Sequence, residues 1–118
     1  MKKIAIVFRR SPFGSTSSRE GLDLALLSAS FEQQVTVIFV AEGLLNLLSD
    51  QQPELSGSKD YIATFKAMPI YDIETILVCE TSLTQLNLTS EALQVAHHVA
   101  SNKQISQALT ESDEVLVF

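Results

Sequence analysis

Three short, almost uninterrupted apolar runs constrain the fold of this chain more than any other feature. They are Lys2–Phe8 (KKIAIVF), Val35–Val40 (VTVIFV) and Thr75–Cys79 (TILVC), and β-branched residues are frequent in all three. This pattern is typical of strands that are buried on both faces, as in a parallel sheet with helices on each side. We therefore predict an α/β fold with a mostly parallel sheet.

Helical patterns lie between these runs. Ser17–Glu20 has the spacing of a capping box, and apolar residues follow at helical intervals until about Ser30. Glu42–Leu48 (EGLLNLL) is predicted as a short helix and Lys59–Met68 as a longer one, which Pro69 should limit. Strand, helix and strand at this spacing form a βαβ unit.

The last third of the chain has weaker signals. Thr81–Glu91 is predicted to be irregular, apart from one turn at Leu83–Leu86. Leu93–Val99 is predicted to be a short strand in preference to a helix. Ser101–Thr110 is a predicted helix and Glu114–Phe118 a terminal strand. The whole pattern indicates a three-layer α/β/α arrangement around five strands.

Length and composition favour one domain over residues 1–118, since 118 residues with 46% hydrophobic content can form a single packed core. No apolar run approaches the roughly 20 residues that a membrane span needs. The apolar stretch behind Lys2 and Lys3 is too short for a signal peptide and meets Arg9 and Arg10. We expect a cytoplasmic protein.

The net charge of −6 is unevenly distributed. Up to Lys59 there are six basic and six acidic residues, whereas from Asp60 onward there are two basic and eight acidic residues. Nucleic-acid-binding proteins normally carry clustered positive charge, because phosphate neutralisation supplies most of their affinity. Direct binding of RNA is therefore not expected.

Cys79 is the only cysteine, so an internal disulfide is impossible. It is also the only candidate thiol nucleophile. Its place at the end of a strand could expose it to a crevice. Apolar surroundings and the neighbouring Glu80 both disfavour a thiolate, however. We favour a structural cysteine and keep a persulfide-carrying cysteine as the alternative.

The loop Arg9–Ser18 (RRSPFGSTSS) follows a strand and precedes a helix, a position at which open α/β sheets often bind anions. Its candidate contacts are Arg9, Arg10 and Ser17. The phosphate-loop pattern G-x-x-x-x-G-K-[ST] and the dinucleotide pattern G-x-G-x-x-G are both absent. A plain surface loop is the favoured interpretation, and an anion- or nucleotide-binding module is the alternative.

The adjacent histidines His97 and His98 should point to opposite faces of a strand, so they cannot bind one metal ion together. We predict neither a metal site nor a cofactor. The segment EGLLNLL is apolar around most of its circumference, which a domain of this size covers with difficulty. We expect its leucines to face a partner subunit in part: Leu44, Leu45, Leu47 and Leu48.

Three segments carry a resemblance to a known family. They are Lys59–Glu74 (KDYIATFKAMPIYDIE) with the strand TILVC behind it, the opening KKIAIVFRRSPFGSTSSREGLDLALLSAS, and the ending DEVLVF. Together they resemble the DsrF-like members of the DsrE/DsrF/DsrH family over almost the whole chain.

This resemblance implies a heterohexamer with two copies each of three related subunits, in which the partners are DsrE-like and DsrH-like. It implies a relay of persulfide sulfur for 2-thiolation of the wobble uridine of tRNA. The sulfur-carrier proteins of this relay bind the partner subunits. The transferring cysteine of the family belongs to the DsrE-like subunit. The resemblance therefore implies a non-catalytic subunit here, and it transfers no catalytic residue to this sequence.

Overall fold

The computed structural model describes residues 2–11, 17–48 and 65–118. Five strands and three α-helices lie within these ranges. They are β1 (Lys3–Phe8), α1 (Ser17–Ser30), β2 (Gln34–Phe39), β3 (Thr75–Cys79), α2 (Glu80–Gln85), β4 (His98–Ala100), α3 (Asn102–Glu111) and β5 (Glu114–Val117). Three 3₁₀ helices complete them: Ala41–Leu47, Met68–Tyr71 and Ser90–Ala92.

The five strands form one sheet in the order β4-β3-β2-β1-β5, and each neighbouring pair is parallel. The predicted α/β fold with a parallel five-stranded sheet is confirmed. Since all strands run in the same direction, their carboxyl ends meet at one end of the sheet. The edge strands are short, with three residues in β4 and four in β5.

One face of the sheet, which we name the aromatic face, carries most of the core. The rings of Phe8 and Phe39 stack with centroids 5.0 Å apart, and Phe65 contacts both rings edge-on at 5.5 and 5.6 Å. All three side chains are fully buried. α1 covers this face with Leu22 and Ala25, and the segments around Leu44, Met68 and Leu83 cover the rest.

The opposite face, which we name the α3 face, is covered mainly by one helix. Its buried residues are small or of moderate size: Ala5, Val7, Ile38, Cys79, Ala100 and Ile105. α3 contributes Ile105 and also packs Ala108 and Leu109 against this cluster. Its start is fixed by a capping box, in which the Ser101 hydroxyl accepts from the Gln104 amide and the Gln104 side chain accepts from the Ser101 amide.

The predicted helix Lys59–Met68 is described only from Phe65. Phe65 and Lys66 are helical, and the chain then tightens into the 3₁₀ helix Met68–Tyr71. Pro69 lies in the first turn of that helix, where a missing amide hydrogen costs no helical bond. Pro69 thus ends the α-helical geometry but does not end the helix as a whole.

Two predictions for the last third of the chain are wrong in detail. In place of the single turn predicted at Leu83–Leu86, a helix, α2, begins at Glu80, directly after β3. The strand predicted at Leu93–Val99 is β4, which begins only at His98; Leu93 instead makes an isolated antiparallel bridge with Leu48. Burial of Leu93 and Val95 in the core accounts for the apolar pattern that suggests a longer strand.

No helix in the described ranges is both long and apolar enough to cross a membrane.

Candidate functional site

Cys79 is the last residue of β3, an interior strand of the sheet, and it points to the α3 face. Its side chain is 5% exposed and forms no disulfide. The Sγ atom lies 3.6 Å from Oδ1 of Asn102, the first residue of α3, so the thiol can donate a weak hydrogen bond to that amide.

The surroundings of Cys79 are those of a small core side chain. Ala5 and Val7 from β1, Ile38 from β2 and Ala100 from β4 belong to the same buried cluster. A free cysteine in such a place behaves as a small apolar residue with a weak donor. The sulfur is therefore poorly accessible to an incoming persulfide.

The anion-site candidates at the end of β1 are partly engaged within the chain. The Arg10 guanidinium donates to the Ser17 hydroxyl at 3.1 Å, and Ser17 is the first residue of α1. Arg9 is exposed, and its backbone amide donates to the Phe118 carbonyl at 2.9 Å. Residues 12–16 of the predicted loop lie outside the described residues.

Asn46, which the sequence pattern alone did not single out, contacts the backbone of Arg10. It is 1% exposed, and its Nδ2 donates to the carbonyls of Arg10 at 3.0 Å and Gly43 at 2.8 Å. Its Oδ1 is buried and has no hydrogen-bond partner among the described residues. That oxygen needs a donor, and a bare anion supplies only acceptors, so Asn46 gives the anion-binding alternative no support.

Gly43 explains why Asn46 can reach the end of β1. A Cβ atom at Gly43 would lie 1.9 Å from the Phe8 carbonyl oxygen, so the two backbones touch at this point. The sequence does contain a signal for this arrangement. A glycine and an asparagine interrupt the leucines of EGLLNLL, and a polar residue within an apolar run often satisfies buried backbone groups.

The two histidines do not converge. His97 Nδ1 lies 2.6 Å from the Val95 carbonyl, which can only accept, so Nδ1 carries the hydrogen. His97 Nε2 lies 2.7 Å from the Ser90 hydroxyl. His98, which begins β4, is exposed. Within the described ranges no group of three His, Cys, Asp or Glu residues could hold a metal ion.

The leucine segment was predicted to face a partner in part, and the structure divides its four leucines into two pairs. Leu44 and Leu47 are fully buried and belong to the core of the aromatic face. The domain therefore covers this segment largely from within, using Phe8, Leu83 and Leu93 among others. Leu45 and Leu48 are half-buried and remain candidates for contact with a partner.

Comparisons with known proteins agree along the whole chain. The model of the DsrE/DsrF-like family matches residues 2–118. The Protein TusC homolog of Aliivibrio fischeri is 34% identical over 118 residues, which cover all of both chains. The crystal structure of the ychN protein from E. coli superposes with a TM-score of 0.85 over the full length of both chains, at 20% sequence identity, and so supports the fold.

Proposed function

The chain belongs to the DsrE/DsrF-like family, and from this membership we propose that it is a non-catalytic subunit of a sulfurtransferase complex. In this proposal it assembles with a DsrE-like subunit of the TusD type and a DsrH-like subunit of the TusB type. The complex is a heterohexamer that relays persulfide sulfur in the cytoplasm for 2-thiolation of the wobble uridine of tRNA.

The full-length similarity to a TusC homolog carries this proposal. A role in sulfur relay is supported by that similarity and by the family match. Because the match extends over the whole length of both chains, the similarity is not confined to a shared segment.

The environment of Cys79 supports the adjective non-catalytic. A persulfide acceptor must reach a donor protein, yet this thiol is 5% exposed and donates to Asn102 beneath α3. In the proposed complex, the transferring cysteine lies on the DsrE-like partner, and sulfur-carrier proteins contact the partner subunits.

The charge of the chain supports an indirect relation to tRNA. Eight of its fourteen acidic residues, but only two of its eight basic residues, lie in the part of the chain that follows Lys59. A net negative charge of this kind disfavours binding of a phosphate backbone. We therefore assign tRNA to a later step of the relay and not to this subunit.

Leu45 and Leu48 are the residues of the leucine segment that we assign to contact with a partner subunit. Both are half-buried, next to the fully buried Leu44 and Leu47. Replacing both half-buried leucines with aspartate should weaken co-purification with the partners. The matched control replaces the exposed Thr84 of α2 with aspartate and should leave the assembly intact.

The experiment that tests the proposed function is co-purification from the source cell, followed by mass-spectrometric identification of the bound proteins. The expected result is a complex with one DsrE-like and one DsrH-like chain. A parallel deletion of the gene should abolish 2-thiouridine in bulk tRNA, as measured by nucleoside mass spectrometry. Recovery without such partners, together with unchanged 2-thiouridine, would reject the proposal.

A further inference from the structure

Ser90 and His97 form a hydrogen-bonded pair away from Cys79. Ser90 begins the 3₁₀ helix Ser90–Ala92, and His97 immediately precedes β4. The hydroxyl oxygen of Ser90 lies 2.7 Å from Nε2 of His97, and both side chains are partly buried. A hydroxyl within hydrogen-bond reach of an imidazole is the basic arrangement of a nucleophilic serine.

The tautomer of His97 suits this pair. Its Nδ1 lies 2.6 Å from the Val95 carbonyl oxygen, which can only accept, so Nδ1 carries the ring hydrogen and Nε2 of the neutral ring is an acceptor. The Ser90 hydroxyl therefore donates to Nε2. This is the direction that a general base requires, because the ring can then take the hydroxyl proton.

The group that orients the His97 ring is held by the core. Val95 is 3% exposed, so its position is fixed by packing. The amide of the preceding residue, Gln94, donates to the Leu47 carbonyl at 2.8 Å. The Val95 carbonyl is thus fixed on the body of the domain, and the imidazole is positioned before any substrate binds.

A surface cavity of about 220 Å³ borders the same histidine. Its other lining residues include three apolar side chains and one carboxylate: Pro69, Ile76, Ala96 and Glu74. The volume is below the roughly 300–1,000 Å³ of pockets that hold drug-sized ligands, so a short group fits. The apolar lining favours an alkyl chain, and the Glu74 carboxylate disfavours a chain that carries a negative charge.

We propose that Ser90 is a nucleophile that neutral, short-chain esters acylate, with His97 as its general base. The Ser90 oxygen forms a bond to the ester carbonyl carbon, and its proton passes to Nε2 of His97. The bond from that carbon to the alcohol oxygen then breaks, and His97 gives the proton to the leaving alcohol. Water repeats both steps on the acyl-serine, which releases the carboxylic acid and restores Ser90.

This reactivity is separate from the proposed sulfur relay, since it uses neither Cys79 nor a partner subunit. Turnover should be slow. The acceptor for Nδ1 is a neutral carbonyl, which stabilises an imidazolium less than the carboxylate of a Ser-His-Asp triad does. Covalent labelling of Ser90 is therefore a more sensitive readout than release of product.

The first test incubates the full-length chain with p-nitrophenyl butyrate and measures the intact mass. The wild type should gain one butyryl group, which peptide mapping locates on Ser90, and Ser90→Ala should abolish this adduct. His97→Gln keeps a polar side chain that cannot take the proton, and it should slow labelling by roughly 100-fold or more. The matched control, Ser106→Ala, removes an exposed serine of α3 and should label like the wild type.

A second test examines the cavity. Ala96→Phe fills part of it and should slow labelling by the butyrate ester more than labelling by the acetate ester. Thermal unfolding of every variant should match that of the wild type, which separates lost reactivity from lost fold. An unlabelled wild type, or Ser90 labelling that persists at the full rate in His97→Gln, would overturn the proposal. An equal effect of Ala96→Phe on both esters would overturn the assignment of the acyl chain to this cavity.

Discussion

The two faces of the sheet differ in how they are built and covered. The aromatic face buries Phe8, Phe39 and Phe65 in mutual ring contact beneath several segments of chain. The α3 face holds a smaller cluster, which includes Cys79 and packs against α3. The thiol of Cys79 therefore lies on the α3 face, among small side chains. The larger apolar core lies on the aromatic face, on the other side of the sheet.

The largest loss of stability should come from a substitution on the aromatic face. Phe39→Ala removes a fully buried ring that contacts Phe8 at 5.0 Å and Phe65 at 5.6 Å. Loss of the transfer free energy, together with the cavity left behind, should lower the free energy of unfolding by about 3–5 kcal/mol. Urea unfolding followed by circular dichroism measures this change, and a loss below that of the next variant would reverse the ranking of the two faces.

A smaller effect is expected from the corresponding substitution on the α3 face. Ile105→Ala truncates the main apolar anchor of α3, which is 8% exposed. Because the surrounding residues are small and only one helix must adjust, the cost should be about 2 kcal/mol. The same unfolding assay applies. A cost as large as that of Phe39→Ala would show that α3 is held as firmly as the aromatic core.

A substitution at the N-terminus of α3 should lower the free energy of unfolding by less than either of these two. Ser101→Ala removes the hydroxyl that accepts from the Gln104 amide at 3.2 Å. Loss of an N-cap of this kind costs about 1 kcal/mol. Amide hydrogen exchange in Asn102–Glu111 should accelerate, whereas exchange in Ser17–Ser30 serves as the internal control and should not change. Equal acceleration in both helices would mean that α3 does not open separately.

The sequence was sufficient for the fold because the strands are interior and uninterrupted. Lys3–Phe8, Gln34–Phe39 and Thr75–Cys79 are the strands β1, β2 and β3, each within one residue of the predicted range. β4 was predicted less well, since it has only three residues and follows a stretch whose burial comes from tertiary contacts. α2 has only six residues and begins directly after a strand, so it is too short to show an apolar periodicity in the sequence.

The candidate site was predictable only in part. The end-of-strand position of Cys79 follows from the pattern of β3, but its contact with Asn102 joins residues 23 positions apart, and no local rule predicts it. The sequence pattern did not separate the buried leucines of EGLLNLL, Leu44 and Leu47, from the half-buried ones. Whether Leu44 is buried depends on how tightly Gly43 packs on Phe8, and that close approach is a tertiary property.

The central claim is that Cys79 fills space and does not carry sulfur. The most direct measurement is transfer of radiolabelled sulfur through the purified complex containing Cys79→Ser, compared with the wild type and with a variant that lacks the transferring cysteine of the DsrE-like partner. Serine can still donate to Asn102, so the fold should be retained. We expect an unchanged transfer rate for Cys79→Ser and loss of transfer for the partner variant. Loss of transfer in an intact Cys79→Ser complex would contradict the claim.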